Sequence, residues 1–205
     1  MWTRISTVLI QSVAGVSLAT MLAAETLADD SCSGHQLLPV PRSASSCLTV
    51  GPEVYASPDA ALSALVFPVD ASLHATPDME SRVVIQTSTG KLLASEDYSS
   101  PSGANGYYVV AAKWSPDSQF FVYSMSSSGG HSPWSFPTWV YSRQKNIFAD
   151  FSAMIGNNPT LSADFTFTGP HTVSATTWEK AGSQNTIPII VNLADAINKI
   201  PPSAK

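Results

Sequence analysis

Residues 126–139 read Ser126-Ser127-Ser128-Gly129-Gly130-His131-Ser132-Pro133-Trp134-Ser135-Phe136-Pro137-Thr138-Trp139, the densest run of chemically capable side chains in the sequence. It lies between two strongly apolar stretches and is longer than a hairpin connection needs, and long loops are often functional. Gly129-Gly130 lets the chain bend back, while Trp134 and Phe136 can form an aromatic face. Such a face offers apolar area with a polar handle, which suits a glycan, a peptide or a partner protein. Gly129, Gly130, His131, Trp134, Phe136 and Trp139 are therefore the candidate binding residues. The competing assignment makes Trp134 and Trp139 core plugs, with Pro133 and Pro137 stiffening the loop.

Catalytic patterns are weaker. Gly130-His131-Ser132 begins like a nucleophile elbow, but Trp134 occupies the fifth position, where the motif needs glycine, and the flanking stretches look like strands. His35, His74, His131 and His171 are nowhere spaced to share a metal. The adjacent Glu96 and Asp97 would point to opposite faces of a strand. No phosphate-cradling glycine loop or dinucleotide fingerprint occurs. No catalytic residue, metal ligand or cofactor is assigned. A hydrolytic site would have to assemble from distant residues such as His131, His171 and Asp164. The formal net charge is −5 and lysines and arginines are not clustered, which argues against nucleic-acid binding.

The elements that must position these residues read as strands. Ser63–Val69, Arg82–Thr87, Leu92–Tyr98, Tyr107–Trp114, Gln119–Met125, Thr138–Ser142, Asn146–Phe151, Thr172–Trp178 and Ile187–Asn192 are rich in β-branched and aromatic residues. Turn formers separate them, among them Thr89-Gly90-Lys91, Ser128-Gly129-Gly130 and Gly169-Pro170. One helix is expected at Leu193–Ile200, where Leu193, Ala196, Ile197 and Ile200 follow helical spacing up to the Pro201-Pro202 stop. It could cover a strand edge.

The strands fall into repeating units. Ser57-Pro58-Asp59 leads into Leu62–Phe67, and Ser115-Pro116-Asp117 leads into Phe120–Met125, 58 residues later (115 minus 57). Proline presets the second position of a tight turn, and the Ser and Asp side chains can bond the local backbone. A degenerate third unit runs from Phe167-Thr168-Gly169-Pro170 into Thr172–Trp178. The expected units lie near 48–98, 107–151 and 160–200. Lys113-Trp114-Ser115-Pro116-Asp117-Ser118, running into Phe121-Val122-Tyr123-Ser124, resembles the blade signature of TolB-type β-propellers. In the first unit Ala56 stands where Trp114 stands. The resemblance implies four-stranded antiparallel meanders. Rings of such blades close with about four to eight, and this chain has room for three at most.

The expected fold is thus all-β, with repeated antiparallel β-meanders and a short C-terminal helix. Three arrangements stay open: an open stack of meanders, a ring completed by self-association, or a β-sandwich. A fainter likeness links Ser102-Gly103-Ala104-Asn105-Gly106-Tyr107 to the Ser-Gly-x-x-Tyr signature of periplasmic lysozyme inhibitors, with an extra residue before the tyrosine.

The N-terminus reads as a signal for export. Arg4 precedes the apolar or small run Val8–Ala24, and Thr26-Leu27-Ala28 offers a cleavage site, so residues 1–28 are expected to be removed. Residues 29–205, about 177 in number (205 minus 28), would form a single all-β domain with no membrane span. Cys32 and Cys47 are expected to form a disulfide worth about 3 kcal/mol in a loop that short. The expected location is periplasmic or extracellular, and the expected partner a protein or glycan of the cell envelope.

Overall fold

A computed structural model of the chain describes residues 52–69, 80–103, 105–130, 134–180 and 183–200. Three antiparallel sheets account for nearly all of its regular structure. The first has strands β1 (Glu53–Ala56), β2 (Leu62–Pro68), β3 (Ser81–Thr87) and β4 (Leu92–Asp97), in that order. The second repeats the meander with β5 (Tyr107–Trp114), β6 (Phe120–Ser127), β7 (Thr138–Ser142) and β8 (Ile147–Asp150). The third is shorter: β9 (Thr166–Phe167), β10 (Thr172–Trp178) and β11 (Thr186–Asn192). Two short helices, α1 (Phe151–Met154) and α2 (Leu193–Lys199), complete the described elements. The all-β expectation with a short C-terminal helix holds. Residues 1–51, with Cys32, Cys47 and the expected leader, lie outside the described residues.

The burial patterns explain the layering. Along β2 and β10 buried residues alternate with half-buried ones, as for strands covered on one face. In β6, Phe120 to Met125 are all buried, which requires cover on both faces. One core cluster joins Leu62, Ala64, Val83 and Ile85 of the first sheet to Trp114, Phe121, Tyr123 and Tyr141 of the second. The other joins Phe120, Val122 and Val140 of the second sheet to Val173, Ala175 and Val191 of the third. The second sheet is the middle layer, and its near-continuous apolar run is the sequence trace of that position.

The two Ser-Pro-Asp turns are structural copies. Ser57 N donates to Leu62 O (2.9 Å) and Leu62 N to Ser57 Oγ (3.0 Å); Ser115 N donates to Phe120 O (2.7 Å) and Phe120 N to Ser115 Oγ (2.9 Å). Each serine hydroxyl also donates to its aspartate, at 2.6 and 2.5 Å. Ala60 and Ser118 hold the equivalent left-handed position, at φ of 55° and 61°. The copies touch across the layers: Asp59 N donates to Ser118 Oγ (3.0 Å), and Arg143 pairs with Asp59 at 2.5 Å.

The third sheet ends its meander with a helix in place of a fourth strand. Asn192 caps α2 through a bond from Asp195 N (3.2 Å), and Leu193 and Ile197 are buried in the core shared with the middle sheet. Lys145 Nζ donates to Ile197 O near the helix end (2.7 Å). Two short elements escaped the sequence, the two-residue β9 and the helix α1. The strand expected over Asn146–Phe151 stops at Asp150, whose carboxylate accepts from Ser152 N (2.8 Å) and starts the single turn α1. Four residues are too few to show helical periodicity.

The meanders set two unlike ends. Tight turns gather at one end. At the other, longer connections follow β4, β6 and β8, and their described residues meet there through Glu80, Ser128 and Thr160.

Candidate functional site

The end with long connections carries a groove of about 370 Å³. Its floor comes from the middle sheet and the chain entering it. Tyr123, Trp139 and Asp150 lie in one cross-strand row of β6, β7 and β8, so their side chains share a face. Trp139 and Asp150 line the groove, along with Met125 near the end of β6 and Tyr107 at the start of β5. Tyr98, just past β4, leans across from the first sheet. Its ring centroid lies 5.6 Å from that of Trp139, with the planes tilted by 57°.

Tyr98 and Tyr123 meet hydroxyl to hydroxyl at 2.5 Å. Burial pushes both phenols well above their usual range, and the nearby Glu96 carboxylate adds to it. Both are protonated at neutral pH. Burial also raises Glu96, with the Asp97 charge adding to the effect.

The rim is polar. Asp150 accepts from Ser152 N and, at 2.7 Å, from Ser152 Oγ. Thr160 donates its hydroxyl to Phe136 O, and Phe136 N returns a bond to Thr160 O (2.9 Å). Thr138 Oγ1 lies 2.9 Å from Thr160 Oγ1. These bonds tie one foot of the β6–β7 loop to the β8–β9 connection. The Tyr107 hydroxyl, the Ser135 hydroxyl and the Asn157 carboxamide also edge the groove and have no partner among the described residues. Among the described residues no lysine, arginine or histidine lines it.

The other foot of the loop rests on Glu80, which has 1% of its surface exposed. Oε1 accepts from Gly106 N (2.5 Å), Ser128 Oγ (2.7 Å) and Ser100 Oγ (2.8 Å), and Oε2 accepts from Ser100 N. Burial alone would raise this carboxyl, but the bonds from Ser100, Ser128 and Gly106 outweigh it and hold the group below its ordinary value. Gly106 is there for space. A Cβ would lie 2.5 Å from Glu80 Cδ and 2.6 Å from Oε1, and would also strike the Tyr98 carbonyl. Gly106, within the segment faintly like an inhibitor loop, packs directly against this carboxylate.

The sequence-derived set is divided by the structure. Trp139 lines the groove. Phe136 is half-buried and anchors the loop through its backbone, while Trp134 projects, 63% exposed. Gly129 and Gly130 are exposed at the loop's near end, and Gly130 takes a φ of 66°. His131 lies outside the described residues. His171 sits at the end with tight turns, with Nδ1 3.4 Å from an Asp117 oxygen, and Asp164 is exposed on the β8–β9 connection. Among the described residues no three metal-ligating side chains converge. Sequence reasoning missed Tyr98, Tyr107, Asp150, Asn157 and Glu80, which come from strand ends and connections far apart in sequence and share no local pattern.

No protein-family model matches the chain, and no curated protein sequence matches it.

Proposed function

We propose that this protein is an exported binding module of the cell envelope, and that its site is the groove beneath the β6–β7 loop. The observation that carries the reading is the groove itself: three aromatic rings with a polar rim, where connections from all three meanders gather. Binding residues concentrate on loops held by a rigid scaffold, and a hollow of about 370 Å³ lies within the usual range of about 300–1,000 Å³ for ligand sites. The partner is a glycan or a protein segment. Export is read from the leader-like residues 1–28, and the location is periplasmic or extracellular. The paired Ser-Pro-Asp turns and the face-to-face meanders support a likeness to propeller blades. The test is binding of the mature protein to arrays of envelope glycans and peptides, with Trp139→Ala beside the wild type. A ligand bound by the wild type and equally by a folded Trp139→Ala would refute the groove as the site.

A second reading has its own observation. The edge strands β1 and β11 expose Val54 (62%) and Ile190 (66%). Exposed apolar edges invite pairing with another chain, and a second copy would extend the stack toward a ring. Light scattering after size exclusion tests it: a dimer or larger ring is expected, and a clean monomer overturns it.

A further inference from the structure

We infer that the groove takes the end of a neutral glycan chain, an inference that rests on the binding-module reading above. The argument starts from which lining groups are already satisfied. The Tyr98 hydroxyl is engaged by Tyr123, Thr160 by Phe136 O, and Ser152 by Asp150. Among the described residues, the groups left over are the Tyr107 and Ser135 hydroxyls, the Asn157 carboxamide and the remaining lone pairs of Asp150. Each of the first three can both donate and accept. A sugar hydroxyl also does both, so this rim suits a ring edged with hydroxyls. The floor supplies the other half: Trp139 and Tyr107 offer aromatic faces against which the C–H face of a pyranose can lie.

Charge narrows the class. An anionic ligand, whether phosphate, sulfate or uronate, would meet no cation among the described lining residues, would face Asp150, and would approach a chain of net charge −5. An extended proline-rich peptide favours aromatic-lined grooves, but here the 57° tilt between Tyr98 and Trp139 makes a corner, not parallel ridges. The volume, near the low end of the range for small-ligand sites, suits a chain end more than a folded partner.

The test is saturation-transfer NMR and calorimetry on the mature protein. The neutral probes are maltose, cellobiose, mannobiose and N,N′-diacetylchitobiose; the others are a glucuronic-acid disaccharide and a proline-rich decapeptide. At least one neutral disaccharide is expected to bind, and the glucuronate probe is not. Tyr107→Phe and Asn157→Gly, the latter keeping the left-handed backbone at position 157 (φ 62°), are each expected to weaken it about tenfold, the worth of one hydrogen bond. Unchanged affinity in both variants overturns the inference. Binding of the decapeptide or the glucuronate probe without any neutral sugar overturns it too, while leaving the groove as a binding site. Silence from every probe, in protein with a native circular-dichroism spectrum, overturns both readings.

Discussion

Glu80→Gln should destabilise the protein well beyond the loss of a surface charge. The wild-type carboxylate is buried and acceptor-only, and it takes bonds from Ser100 N, Ser100 Oγ, Gly106 N and Ser128 Oγ. A glutamine amide brings two donors into that ring of donors. If its nitrogen replaces Oε2, Ser100 N loses its acceptor; if it replaces Oε1, Gly106 N does, and Ser128 Oγ keeps only the Gly106 carbonyl. The milder choice still leaves a buried backbone N–H unpaired, at about 1–3 kcal/mol, and weakens the charge-assisted bonds that remain. The expected cost is about 2–4 kcal/mol. With about 2–4 °C per kcal/mol for a domain of this size, Tm should fall by about 5–15 °C. Circular-dichroism melts at pH 7 measure it. The pH dependence gives a second readout. The folded carboxyl lies below its unfolded value of about 4.3, so its contribution is fully present above that value and is lost as pH falls through the folded one. The variant should therefore lose less stability than the wild type on acidification. A Gln variant within about 0.5 kcal/mol of wild type at pH 7 would refute the account, since that is the range of an inconsequential surface change.

The same contacts fix further outcomes. Gly106→Ala should cost about 1–3 kcal/mol or more, because the added methyl meets a backbone carbonyl and a carboxylate fixed by its own bonds; chemical denaturation measures it. Ala60→Gly should stabilise by about 1 kcal/mol, since Ala60 is exposed and its left-handed backbone is the only feature the change relieves. At the copied position Ser118→Gly should be neutral or destabilising, because it also removes the acceptor for Asp59 N; equal gains at both positions in denaturant melts would refute this. Tyr98→Phe should cost about 1–3 kcal/mol by orphaning the Tyr123 hydroxyl, and the double Phe variant should recover part of it. Because the folded phenols titrate above their unfolded value of about 10, the stability they contribute is present below that pH and declines as pH rises past it. Tyrosinate absorbance from this pair should appear only with unfolding.

What the sequence made legible, and what it hid, divides along the two ends of the meanders. The Ser-Pro-Asp turns are local devices: serine and aspartate bond groups within five residues of themselves, so composition announces them. Strands flanking such turns are legible too, and Tyr107–Trp114, Thr138–Ser142 and Thr172–Trp178 were expected with the bounds they have. Even the middle layer left a trace, in the unbroken burial of Phe120 to Met125. The opposite end is built by pairs far apart in sequence. Glu80 reaches Ser100, Gly106 and Ser128 across 20, 26 and 48 residues, and Thr160 meets Phe136 across 24. No periodicity encodes such distances. The visible hints were a lone glutamate directly before an apolar strand and a glycine directly before Tyr107, each unremarkable alone. The conspicuous Trp134 instead projects from the loop, while Trp139, three residues into the same aromatic cluster after Phe136, turns onto the floor because it pairs in register with Tyr123 and Asp150. Strand register, more than residue type, thus decides which aromatic can touch a ligand. That is why a substitution at Trp139 should reach binding, and why one at Trp134 should reach it only if the partner extends beyond the groove.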